Sequence, residues 1–88
     1  MNRISIEFLV RSGCHLCEEV APAVRLAARL SGSTVDMVDV DTDDRLVRDY
    51  GLRIPVVLIR DEPIAEGDFS AAYLWWRIVR ERVRADTR

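Results

Sequence analysis

Two cysteines three positions apart, Cys14 and Cys17, close an apolar segment and open an amphipathic one, and this junction constrains the 88-residue chain more tightly than any other feature. Ile4, Ile6, Phe8, Leu9 and Val10 alternate and then run apolar, as a strand buried on both faces in a parallel arrangement does. Arg11-Ser12-Gly13 breaks that run. From Cys14 to about Leu30, apolar residues recur at Leu16, Val20, Val24, Ala27 and Leu30, with Glu18, Glu19, Arg25 and Arg29 on the other side, which predicts an amphipathic helix. Pro22 lies inside it, removes one ladder hydrogen bond and is expected to kink the axis.

A helix start presents orphan backbone N–H groups and the positive end of the macrodipole, and both favour a thiolate at Cys14. Free cysteine titrates near ~8.5, and sites of this kind bring it to roughly 3.5–7.5. Cys17, one turn in, is expected to be less exposed and less perturbed. Side chains three apart on a helix have Cβ atoms about 5–6 Å from each other, so a modest adjustment permits a disulfide. Cys14 is therefore the candidate nucleophile and Cys17 the candidate resolving thiol.

As a staple the pair is poor, because closing a loop of about four residues is worth only ~2 kcal/mol of chain entropy. A zinc site needs two more ligands, and His15, the single histidine, points roughly 100° away from Cys14 on the helical wheel. Redox chemistry fits better than metal binding or plain packing. Arg11 either favours the thiolate by Coulomb attraction or is an exposed strand-end arginine, while Glu18 and Glu19 oppose the thiolate. His15 is either a cation beside the thiol or a half-exposed helix-start residue.

Beyond the first helix, Ser31-Gly32-Ser33 predicts a turn and residues 34–40 a second strand. Asp41 or Thr42 can cap a short helix, with Asp43 and Asp44 in its first turn and Gly51 as its stop. Val56-Val57-Leu58-Ile59 reads as a buried strand. Arg60-Asp61-Glu62-Pro63 reads as a turn into a weak edge strand at Ile64-Ala65-Glu66. Asp68 can cap a last helix from about Phe69 to Arg84, whose Phe69, Tyr73, Trp75, Trp76, Ile78 and Val79 are expected to cover the sheet, one tryptophan partly exposed. The order is β-α-β-α-β-β-α in one domain spanning 1–88. Two crossover helices imply a parallel core sheet, to which the final hairpin adds an antiparallel strand.

Composition removes several functions. Thirteen arginines and no lysine exclude Schiff-base catalysis and a Walker-type phosphate loop. A net charge of −2 gives no general attraction to nucleic acid or to an anionic membrane, and the arginines near the C-terminus are balanced by acids. No run reaches signal-peptide or transmembrane length, so a cytoplasmic protein is expected.

Arg11-Ser12-Gly13-Cys14-His15-Leu16-Cys17, Asp39-Val40-Asp41 and Tyr50-Gly51-Leu52-Arg53-Ile54-Pro55 together resemble a small glutaredoxin-like protein of the thioredoxin superfamily. The resemblance covers essentially the whole chain. It implies a three-layer α/β/α fold with a four-stranded mixed sheet in order 2-1-3-4, strand 4 antiparallel, and a cis Ile54-Pro55 bond beside the cysteines. Backbone pairing at Ile54 with an extended peptide or glutathione is implied too. Pro22 is similar to the helix proline of thioredoxins, but the tryptophan and glycine-proline of their active site are missing, and Phe8 stands where they carry a buried acid. The chain also differs from orthodox glutaredoxins in His15-Leu16 between the cysteines, in Arg53, and in Glu66-Gly67-Asp68 before the last helix. Gly67 and Asp68 at that helix start, with Arg11 and Arg53, are the candidate anion-binding groups; Asp68 also reads as a plain N-cap.

The expected activity is that of a thiol-disulfide oxidoreductase passing electrons to protein or glutathione mixed disulfides. It needs no resident cofactor, takes glutathione as co-substrate and acts as a monomer on a disulfide-bearing or glutathionylated protein. The alternatives are a module holding a metal or iron-sulfur cluster through Cys14, and a non-catalytic docking domain.

Overall fold

A computed structural model describes residues 3–86. Strand β1 (Ser5–Val10) leads into α1 (His15–Ser31), then β2 (Thr34–Asp39), a 3₁₀ turn (Val40–Thr42), α2 (Asp44–Tyr50), β3 (Val56–Ile59), β4 (Glu62–Glu66) and α3 (Ala71–Asp86). The sheet runs β2-β1-β3-β4.

Alternation along β1 divides the core. Ile4, Ile6 and Phe8 face α1 and α3, where they pack with Val20, Val24, Leu74 and Ile78. Leu9 faces the other way and joins Val40, Val56 and Leu58 beneath Leu46 and Tyr50 of α2. Three layers result from this two-residue period.

β1 and β2 are parallel, but β3 returns antiparallel to β1, with Leu9 opposite Val56 and Glu7 opposite Leu58. The expected parallel core is thus limited to one strand pair. Helix α2 is only seven residues long and packs against the far face, so this connection does not carry the chain back to the starting end of the sheet as a full crossover does. β4 is antiparallel to β3.

The β3–β4 turn is tighter than the expected four residues: only Arg60 (φ 50°) and Asp61 (φ 68°) lie outside the ladder, and Ile59 pairs with Glu62. Two central residues at positive φ match the right-handed twist of a hairpin. Pro63 consequently lies inside β4, on the outer strand where a missing N–H is tolerated. A register shift opposite Val57 and Leu58 lets consecutive residues Ile64 and Ala65 both enter the core.

The caps also depart from expectation. Asp43, not Asp41 or Thr42, caps α2, its carboxylate accepting the Arg45 N–H at 2.8 Å. Asp39 accepts the Asp41 N–H at 2.9 Å and so caps the preceding 3₁₀ turn, which shifts the helix start. Ser70 takes the capping role expected of Asp68, its Oγ accepting the Tyr73 N–H at 3.1 Å. On α3 the core residues are Leu74 and Ile78, while Tyr73, Trp75 and Trp76 are exposed. A helix lying on one sheet face buries a single stripe, and both tryptophans fall outside it. Leu30 is exposed as well, on the side of α1 turned away from the buried Ala27, Ala28 and Ser31 of the same turn.

Candidate active site

Every element end that bears on the cysteines lies at one end of the sheet. β1 ends at Val10 and α1 begins five residues later, at His15. Because β3 is antiparallel to β1, its first residues meet the end of β1, which brings Ile54 and Pro55 to the same end. β4 in turn ends there, and Gly67 N–H donates to the Pro55 carbonyl at 2.9 Å. Gly67 has φ +75°, a conformation an L side chain rarely adopts. The Ile54–Pro55 peptide is cis.

Cys14 is the N-cap of α1 and is bonded to Cys17, with Cα atoms 5.2 Å apart. The Cys17 N–H donates to Cys14 Sγ at 3.1 Å, so one orphan amide of the helix start is spent on that sulfur. Cys14 is half-buried, whereas Cys17 is only 4% exposed. A reagent can therefore approach Cys14 and not Cys17. His15 is exposed at the first helical position.

The two arginines singled out as anion partners are both held by carboxylates. Arg11 donates from Nε and a terminal nitrogen to Asp41 at 3.0–3.2 Å, and its other terminal nitrogen reaches the Gly51 carbonyl at 3.4 Å. It joins β1, the 3₁₀ turn and the end of α2 across 30 and 40 residues of chain. Gly51 is required by proximity: an added Cβ would lie 2.5 Å from the Val47 carbonyl oxygen and 3.4 Å from the Arg11 guanidinium. Arg53 pairs with Glu66 at 2.8 Å and stacks over the Tyr50 ring. The hydrogen bond to Glu66 is the main cause raising the pKa of this guanidinium above its ordinary value, partly opposed by desolvation.

Two cavities separate the remaining candidates. One of about 240 Å³ is lined by Arg11, Ser12, Gly13, Cys14, Cys17 and Met37, among others. A larger one, about 540 Å³, lies between β4 and the start of α3, where Arg53, Glu66, Asp68, Phe69 and Arg77 line it and neither cysteine does. The smaller one holds the chemistry, since the bond that can be exchanged opens onto it. Ile54 is only half available for strand-like pairing, because its N–H already donates to the Tyr50 carbonyl at 3.1 Å. Among the described residues no group of three or more His, Cys, Asp or Glu could hold a metal ion. Sequence reasoning missed Met37 beside the sulfurs and the Asp41 and Gly51 contacts of Arg11, because only the tertiary fold brings these distant positions together.

A family model described as a glutaredoxin-like domain (DUF836) matches residues 5–87. The chain belongs to the glutaredoxin-like domain family. It is 31% identical over 93 residues to the uncharacterized protein Rv0508 of Mycobacterium tuberculosis, covering 98% of this chain and 84% of that one. Among solved structures it is similar to protein XcR50 of X. campestris (27% identity, TM-score 0.72, covering 85% of this chain and 96% of that one). It shares its fold with thioredoxin 1 of Thermosipho africanus (18% identity, TM-score 0.66, covering 94% and 99%). A thioredoxin-like fold with a bonded Cys14–Cys17 pair at its first helix start supports a redox-type function for this family member.

Proposed function

We propose that this glutaredoxin-like protein is a dithiol thiol-disulfide oxidoreductase. The observation that carries the reading is the asymmetry of the pair: Cys14 is a reachable N-cap sulfur and Cys17 a buried one accessible only from Cys14.

In the reduced protein the Cys14 thiolate attacks one sulfur of a substrate disulfide, forming a mixed disulfide and releasing the other substrate sulfur as a thiolate. The Cys17 thiolate then attacks Cys14 Sγ and expels the second substrate thiolate. Two electrons have passed to the substrate, leaving the bonded pair. Two equivalents of an external thiol, glutathione in our reading, reduce that pair again. The Cys17 N–H directed at Cys14 Sγ supports this assignment, since the same donor and the helix dipole stabilise negative charge on that sulfur.

Pro55, Gly67 and the Ile54 carbonyl form the proposed contact surface for glutathione or an extended peptide, with His15 flanking the sulfur; Asp68 and Arg53 extend that surface into the neighbouring cavity, and Arg11 and Arg53 meet the ligand as guanidiniums already paired with Asp41 and Glu66. The substrate is a disulfide-bearing or glutathionylated protein, met by a monomer in the cytoplasm.

The test is reduction of a glutathionylated peptide by wild type, Cys14→Ser and Cys17→Ser. Cys17→Ser should accumulate a mixed disulfide on Cys14 detectable by mass, and Cys14→Ser should be inert. Turnover by Cys14→Ser at the wild-type rate overturns the role assignment.

A further inference from the structure

One face of α1 connects the sulfurs to a cavity lined by three arginines that form no ion pair among the described residues. The cavity at the disulfide takes Cys14, Cys17, Glu18 and Ala21 from this helix and Met37 from β2. A second cavity, about 350 Å³, takes Arg25, Ala28, Arg29 and Gly32 from the same helix and Val35 from the same strand, with Arg3 opposite. Positions 14, 18, 21, 25, 28 and 32 advance by four and three in turn, which is a single helical stripe. Val35 and Met37 share one face of β2. The two cavities therefore lie one after the other along a single groove line between α1 and the outer strand β2.

The groove is polar in sign. At the sulfur end Glu18 stands with Arg11, which Asp41 already pairs, whereas Arg3, Arg25 and Arg29 all line the far cavity and no acidic residue does among the described residues. Among the described residues, Arg3, Arg25 and Arg29 make no ion pair, although acids outnumber arginines in the chain. Arg25 and Arg29 are like charges at i and i+4, an arrangement that destabilises a helix unless an anion bridges it. Arg29 also complements the helix C-terminal dipole; Arg25, a turn earlier, and Arg3, outside the helix, do not.

We propose that this groove seats an acidic segment of the disulfide-bearing partner protein, with Arg3, Arg25 and Arg29 receiving its carboxylates while its cysteine meets Cys14. The proposal rests on the thiol-disulfide reading above. Arg25 and Arg29 lie about 16 and 22 Å beyond Cys14 along the helix axis, at about 1.5 Å per residue. An extended chain covers that span in about five to seven residues at roughly 3.3 Å each. The preferred partner carries Asp or Glu at that separation from its reactive cysteine, and uncharged or apolar residues beside the cysteine, where Glu18 and Met37 lie. Met37 is 56% exposed and supplies an apolar contact.

The experiment uses two glutathionylated peptides, identical except for an acidic pair (Asp and Glu) or a basic pair (Lys-Lys) at the fifth and seventh positions from the cysteine, with release of peptide thiol followed by chromatography. Each exposed ion pair is worth a factor of about 1.4 to 5, so two to three of them give the acidic peptide roughly a tenfold advantage in kcat/KM, carried mainly by KM. In 1 M salt, where the screening length falls to about 3 Å, the advantage should shrink toward unity. Arg25→Gln/Arg29→Gln should keep only the small preference that Arg3 supplies, Arg3→Gln/Arg25→Gln/Arg29→Gln should treat the two peptides alike, and Arg25→Glu/Arg29→Glu should prefer Lys-Lys. Helical circular dichroism confirms that each variant is folded. Equal rates for both peptides with wild type overturn the groove assignment and leave the thiol-disulfide reading standing. No reaction with either peptide overturns both.

Discussion

Replacing Arg11 by Gln distinguishes two roles for this side chain, as a charge acting on the Cys14 thiolate or as a strut under the loop that carries it. The structure favours the strut. Its guanidinium lies 3.0 Å from Asp41, and these side chains are 33% and 52% exposed. Exposure limits that ion pair to about 0.2–1 kcal/mol. The bond to the Gly51 carbonyl, at 3.4 Å, is long and adds only the lower end of the usual range, about 0.5 kcal/mol. Together the loss is about 1 kcal/mol. In a domain of this size that lowers Tm by roughly 4–8 °C. Thermal unfolding of wild type, Arg11→Gln, Asp41→Asn and the double variant should give a double variant little worse than either single one, since the second substitution removes a partner already lost. In parallel, iodoacetamide alkylation of the reduced protein against pH reports the Cys14 thiol. An unchanged Tm combined with a clear upward shift of that titration in Arg11→Gln would refute the strut and restore a direct electrostatic role.

Three further outcomes are expected. Reduced wild-type protein should show Cys14 alkylation that reaches its plateau well below the pH needed for a free thiol, because a group whose anion is stabilised ionises earlier; an alkylation profile matching that of free cysteine would remove the helix-start activation. Leu74→Ala, at a fully buried position of α3 against the sheet, should cost about 2–5 kcal/mol in denaturant unfolding, and a loss under 1 kcal/mol would show that the site collapses around the cavity. Gly67→Ala meets open space but is forced to keep φ near +75°, so roughly 1–2 kcal/mol of stability should be lost; an unchanged midpoint would mean that this loop relaxes freely.

The site divides along the same line as the fold. Cys14 and Cys17 were legible because thiol spacing and helix start are local facts, and the structure puts Cys14 at the N-cap. The fates of Arg11 and Arg53 were not legible, since Asp41 and Glu66 lie 30 and 13 residues away. Neither arginine is a free anion receptor; each is already opposed by a carboxylate. Trp75 and Trp76 carry the hydropathy of core residues, yet both face solvent, because one helix on one sheet face has room for only the Leu74–Ile78 stripe.

From its own periodicities the chain determined the order of strands and helices, the start of α1 at the cysteine pair and the burial of residues 56–59. Those are properties of segments a few residues long, set by side-chain spacing and backbone preference. Tertiary structure alone decided that β3 runs antiparallel to β1 and that Asp41 reaches Arg11. It also decided that a stripe of α1 joins the sulfurs to Arg25 and Arg29 along β2. Direction and juxtaposition depend on how a short α2 packs and where distant ends meet, and contacts between distant residues leave no period in the sequence.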